Sequence, residues 1–148
     1  MSITVQSLMA QGVVIATREH TADYVRRQMK TLDIHAVPVA DAEGRPIGIV
    51  RWRDLLDVDD EAPVAEIASP HVLTADLRTD VRQAARVMRS QGRHHIVITD
   101  RGKIAGIVSA FDFLRLVEAD APSEQNPQAE TRESFNTGIF QIQRPDDA

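Results

Sequence analysis

The chain carries one unit twice. Residues 4–58 and 63–116 superpose at an offset of 59, which pairs Val5 with Val64, Val13 with Val72, Arg27 with Arg86, Met29 with Met88 and His35 with His94. Asp41 and Asp100 share that register. One extra loop residue near Ala42 then changes the offset to 58, pairing Gly44 with Gly102, Gly48 with Gly106, Asp54 with Asp112 and Leu56 with Leu114. A register change confined to a loop is the mark of a duplicated structural unit. Two such copies bury a shared apolar face and create two related clefts. Positions where the copies differ then mark which cleft is specialised.

Each copy opens with a turn of helix, at Val5-Gln6-Ser7-Leu8-Met9 or Val64-Ala65-Glu66-Ile67. An apolar stretch follows, Val13-Val14-Ile15-Ala16 or Val72-Leu73-Thr74. Ala22, Val25, Met29 and Leu32 then recur at helical spacing, as do Val81, Ala84, Ala85 and Met88. Thr21 and Thr79-Asp80 are suited to cap these helices. Two strands come next, joined by Asp41-Ala42-Glu43-Gly44 or Asp100-Arg101-Gly102, a hairpin signal. Pro38 lacks a ladder donor, so its strand needs an open side there. Residues 52–57 and 110–118 form a closing helix. The order is β-α-β-β-α in each copy. The expected fold class is α+β, with repeats at 3–58 and 63–118 packed as one body. The acidic link at 59–62 is too short to separate them.

Composition narrows the function classes. A chain of 148 residues with 43% hydrophobic and 26% charged residues makes one compact soluble body. The net charge of −5 argues against a nucleic-acid partner. No cysteine is present, so disulfide and thiolate chemistry are absent. No apolar run reaches the ~20 residues that span a bilayer, and no secretory signal opens the chain. No membrane partner and a cytoplasmic location are the expectations. Residues 119–148 form a C-terminal extension, a polar linker followed by Phe135-Asn136-Thr137-Gly138-Ile139-Phe140-Gln141-Ile142-Gln143. That last stretch reads either as a docking segment or as a frayed tail.

No catalytic constellation, phosphate loop or metal-ligand spacing is present, which leaves an enzyme without support. Attention falls on the end of the last strand of each copy. Ser109-Ala110-Phe111-Asp112 leads from strand to helix. The spacing fits a capping box. It equally fits an anion site, with free N–H groups for phosphate and Asp112 for ribose hydroxyls. The first copy has Arg51 in place of Ser109 and keeps Asp54. Arg51 either fills its cleft or tunes it for a more anionic ligand. The loop Arg89-Ser90-Gln91-Gly92-Arg93-His94-His95 gathers cationic groups, as a solvated helix end or as a phosphate contact. Trp52, the single tryptophan, suits packing or an interface better than base stacking.

A repeat that closes in Gly-Ile-Val-(Ser/Thr)-x-x-Asp resembles the CBS domain, and two in tandem resemble a CBS pair, or Bateman module. The matching residues are Val5, Leu8 and Met9, Val64 and Ile67, Met29 and Met88, and Val37-Pro38-Val39. The closing motifs are Gly48-Ile49-Val50 with Asp54, and Gly106-Ile107-Val108-Ser109 with Asp112. The likeness covers residues 3–118. It implies a regulatory binding module, not an enzyme, with no catalytic cofactor. Its ligand would be an adenine nucleotide (AMP, ADP or ATP) or S-adenosylmethionine, held between the repeats. By position it assigns Asp112 to ribose, Ser109 to phosphate or ribose, and Arg93 or His94 to phosphate. Val72, Thr74, His95, Ile96 and Ile107 would line the base and ribose pocket, with Asp54 and Arg51 in the other cleft. The resemblance further implies a homodimer; with no effector domain in the sequence, an effector protein is the expected recipient of the signal. A ligand-free scaffold with the same fold is the alternative.

Overall fold

A computed structural model describes residues 3–9 and 13–120. The tail segment 135–143 lies outside the described residues. In the first copy, a 3-10 turn at Val5–Leu8 precedes strand β1 (Ala16–Thr17), helix α1 (Ala22–Leu32), the hairpin β2 (Ala36–Ala40) and β3 (Pro46–Arg51), and a 3-10 turn at Trp52–Leu55. The second copy repeats the order with α2 (Val64–Ile67), β4 (Thr74–Asp76), α3 (Val81–Ser90), β5 (His95–Asp100), β6 (Lys103–Ser109), a 3-10 turn at Ala110–Phe113 and α4 (Leu114–Asp120). The chain is a mixed α+β body of two tandem repeats.

Local chemistry sets these boundaries. The Thr21 hydroxyl accepts from the Tyr24 N–H at 3.3 Å, and Asp80 accepts from the Arg82 N–H at 2.7 Å, so both helices are side-chain capped. Each helix ends on a left-handed residue at the same place in the repeat. Asp33 (φ 63°) ends α1, and Gly92 (φ 62°) follows α3. In the first hairpin the Asp41 carboxylate accepts from Glu43 N–H at 3.0 Å and Arg45 N–H at 2.8 Å. These bonds hold its pKa below the ordinary carboxylate value, the Arg45 backbone bond most strongly.

The copies form two separate three-stranded sheets, β1-β2-β3 and β4-β5-β6. In each, the short opening strand runs parallel to the middle strand, and the hairpin is antiparallel. Both hairpins shift register at the same point, between Val39 and Ala40 and between Ile98 and Thr99. Pro38 lies in a middle strand, yet β1 pairs only with Val39 and Ala40. Its counterpart Val97 donates to Leu73 O at 2.8 Å, a bond that Pro38 cannot make. The open side therefore exists because β1 is so short. The expected closing helix at 52–57 is only a 3-10 turn, because Arg26 reaches in and takes the carbonyls of Leu55 at 2.7 Å and Val58 at 3.2 Å.

The opening turns change places. Val5 and Leu8 bury into the second core with Val81, Ala84, Met88, Ile96, Ile98 and Val108. Val64, with Ile67 packed beside it, completes the first core with Val25, Met29, Val37, Val39 and Leu55. The crossing is fastened by Val5 N–H to Thr79 O at 2.9 Å and Val64 N–H to His20 O at 2.9 Å. Burying a side chain of this size stabilises by roughly 1.5–3 kcal/mol, so each copy depends materially on the other. A third apolar cluster joins the copies: Ala36, Ile49 and Val97, with Val72, Ile104 and Ile107 against them. Beside it Ile49 and Ser69 exchange backbone hydrogen bonds of 3.0 and 2.9 Å. Among the described residues no helix is long and apolar enough to cross a membrane.

Candidate ligand cleft

A cleft of about 220 Å3 opens between the copies at the carboxyl end of β3. The first copy supplies His35, Ile49, Arg51, Trp52 and Arg53. The chain leading into β4 supplies Ser69, His71 and Leu73, and the loop after α3 supplies Gly92, Arg93, His94 and His95. Gly92 is what delivers that loop. Its left-handed backbone lets Arg93 N–H return to Met88 O at 2.8 Å, and the next residues then turn toward the cleft. Arg93 Nη1 donates to His71 O at 3.0 Å, tying two walls together. On the first-copy wall Trp52 N–H donates to His35 O at 2.9 Å.

The walls are basic. Among the described residues, three guanidinium groups and four imidazoles line the cleft and no carboxylate does. Asp54 stands just behind the wall, where Oδ2 accepts from Arg51 N–H at 2.8 Å and from Arg51 Nε at 3.4 Å. His95 is largely desolvated, which depresses its pKa to about 4. His94, His35 and Arg51 act in the same direction, and Asp112 opposes them. His95 is therefore neutral at pH 7. Among the described residues, no three His, Cys, Asp or Glu side chains converge as a metal site.

The residues singled out in the sequence are not all brought together. Arg51, Arg93, His94 and His95 share this cleft. Ser109 and Asp112 are not among its walls; they engage each other at the start of the 3-10 turn. Asp112 Oδ2 accepts from Ser109 N–H at 2.7 Å and Ser109 Oγ at 3.1 Å, while Asp112 N–H donates to Ser109 Oγ at 3.3 Å. Asp112 Oδ1 also pairs with Arg115 Nη2 at 2.9 Å. The capping alternative is thus realised in the structure. Thr74 is exposed at the start of β4, opposite Val97. Val72 and Ile107 pack on the seam between copies. Ile96 is only 1% exposed and its side chain belongs to the second core, so only its main chain could meet a ligand.

Sequence reading grouped Arg93, His94 and His95 with Ser109 and Asp112. The structure joins these segments through the hairpin, where His95 pairs with Ser109 and Ala110 N–H donates to His94 O at 2.8 Å, and it lines the Arg51 cleft with the same Arg93, His94 and His95. It also adds His35, Arg53, Ser69 and His71, which no motif marked. By the repeat register, residues 10–12 match Ser69, Pro70 and His71, and they lie outside the described residues.

Comparison with known proteins agrees with this duplicated architecture. The CBS domain family matches residues 5–61 and again residues 64–119. The chain belongs to the CBS domain family. This CBS pair is 32% identical over 110 residues to the magnesium transporter MgtE of Thermus thermophilus, covering 73% of this chain and 24% of the transporter. It spans between 24% and 63% of the length of the first curated relatives it matches. Among solved structures, a Vibrio cholerae protein assigned to acetoin utilization superposes with a TM-score of 0.73 at 26% identity, over 84% of this chain and 99% of that one. The cytosolic domain of the Mg2+ channel MgtE, solved in complex with ATP, gives 0.68 at 28% identity, over 76% of this chain and 48% of that one.

Proposed function

We propose that this CBS pair is a regulatory module that binds an adenosyl ligand between its two copies and reports the bound state to an effector protein. The observation that carries the reading is the cleft built jointly by both copies. Among the described residues its walls present Arg51, Arg53 and Arg93 with no carboxylate beside them in the lining, together with the indole of Trp52. Such a site suits a ligand with an anionic group and a flat heterocycle. A related cytosolic domain has been crystallised with ATP, which gives the reading a precedent in a relative. Ligand would act by binding one arrangement of the copies more tightly than another.

We place the module in the cytoplasm as a homodimer. Phe111, Leu114 and Val117 are 49%, 50% and 68% exposed and recur at helical spacing. A monomer leaves that apolar stripe in water, and an isologous pairing covers it. The scaffold reading keeps one supporting observation: Asp54 and Asp112 are both already engaged at helix starts.

A thermal-shift titration with AMP, ADP, ATP, NAD and S-adenosylmethionine decides between the two, with Asp54→Ala and Asp112→Ala alongside. A ligand at 100 times its dissociation constant adds about 2.7 kcal/mol to the folded state, a shift of several degrees in a body this size. A shift that is lost in one aspartate variant supports sensing and assigns the cleft. No shift with any of the five supports the scaffold.

A further inference from the structure

Among the cleft residues, Arg51 is unusual in both position and partner. Its counterpart in the other copy is Ser109. Its side chain is 40% exposed, lines the cleft and lies 3.4 Å from Asp54 Oδ2. One guanidinium therefore stands between the cleft and the carboxylate that matches Asp112. The other two cleft guanidiniums, Arg53 and Arg93, make no ion pair among the described residues. The cleft holds about 220 Å3, below the roughly 300–1,000 Å3 of ordinary small-molecule sites.

We infer that Arg51 makes this cleft selective for a nucleoside polyphosphate, against adenosyl ligands that are uncharged or carry a sulfonium cation. The inference rests on the adenosyl-binding reading and adds the ligand's charge. Among the described residues the walls carry three guanidiniums and no carboxylate, which repels a cationic ligand and favours successive phosphates. A phosphate chain that draws Arg51 away from Asp54 does two further things. It widens the cleft by the volume of that side chain. It also exposes the Asp54 carboxylate, which then accepts from hydroxyl groups of the same ligand. A ligand without phosphate leaves the Arg51 to Asp54 contact in place, with the Arg51 side chain between it and the carboxylate.

The test is a set of calorimetric dissociation constants for ATP, ADP, AMP, adenosine and S-adenosylmethionine, on the full chain and on Arg51→Ser, which installs the residue of the other copy. Thermal melting first checks that the variant is folded. The expected order is ATP tightest, then ADP, then AMP, with adenosine and S-adenosylmethionine at least tenfold weaker than ATP. In Arg51→Ser the ratio of ATP to adenosine shrinks by tenfold or more, and adenosine binding holds or improves. Should Arg51→Ser not fold, Arg51→Lys is used. It keeps one charge but loses the planar fork, and it must retain part of the ranking. If adenosine or S-adenosylmethionine binds the wild type as tightly as ATP, or if Arg51→Ser keeps the wild-type ranking, the selectivity is refuted while adenosyl binding stands. If none of the five binds the folded wild type, adenosyl binding itself is refuted and the selectivity with it.

Discussion

Gly48 lies against Ala68 so closely that a Cβ added to the glycine would sit 2.8 Å from the alanine Cβ and 3.1 Å from Ser69 O. The same contact recurs in the other copy, where a Cβ on Gly106 would come 2.6 Å from the Met9 sulfur. The exchanged opening segments therefore press on the middle of the last hairpin strand, and only glycine leaves room for them. The two sites differ in compliance. Ala68 and the Ser69 backbone have no rotamer to change, whereas Met9 has three rotatable bonds. Gly48→Ala is expected to cost about 1–3 kcal/mol by overpacking, and Gly106→Ala less. Urea denaturation of both variants measures the difference, and equal losses would show that Met9 is held as stiffly as Ala68.

The reciprocal bonds between Ser109 and Asp112 carry a local stability. Ser109→Ala removes the acceptor for Asp112 N–H, and loss of such a cap costs about 0.5–2 kcal/mol. The midpoint in urea should fall with an unchanged slope. A null result would assign the hold on this turn to the bond from Ser109 N–H to Asp112, which survives the substitution.

His95 makes stability depend on pH. Its pKa is about 4 in the folded chain, against about 6.5 in the unfolded one. Between these values the unfolded state takes up more protons, so stability is full above pH 6.5, declines as the pH falls and levels off below about 4. The loss amounts to roughly 3 kcal/mol at most. His95→Ala installs the residue of the first copy, Ala36, and should flatten the profile between pH 7 and 5. An unchanged profile would place the titration elsewhere.

The apolar stripe of the second copy is asymmetric. Phe111 and Val117 correspond to Arg53 and Asp59 in the first copy, so the two copies present unlike faces at these positions. Phe111→Glu is expected to give a folded monomer in light scattering, with little change in melting of the separated subunit. A wild-type protein that is monomeric at tens of micromolar would remove the stripe as an interface.

Much of the fold was readable because it depends on local chemistry. The register shift at Ala42, the caps at Thr21 and Asp80, and the Asp41 turn are all short-range requirements of one backbone. The exchange of Val5 and Leu8 for Val64 was not readable. Periodicity reports that a turn has an apolar face, but the matching turns of two repeats fit either core equally well. The same ambiguity hid a second set of neighbours for the basic loop. His94 and His95 meet Ser109 and Ala110 across the second hairpin, yet with Arg93 they also line the cleft beside Arg51, because a cleft between two related copies mixes residues from both. Ser69 and His71 carried no motif at all; only the path of the chain into β4 brings them there.

The exchanged turns also separate the unit of duplication from the unit of folding. A break in the 59–62 link would yield two fragments, each holding the other's missing piece. Neither fragment closes its own core, so the pair is bound to reassemble as mutual complements. A single copy taken alone faces the same deficit, and a second copy of the same unit is what supplies the missing piece. Duplication in one chain thus makes permanent an association that two separate chains would have to find. It also lets matching positions differ, with serine at position 109 in one copy and arginine at position 51 in the other.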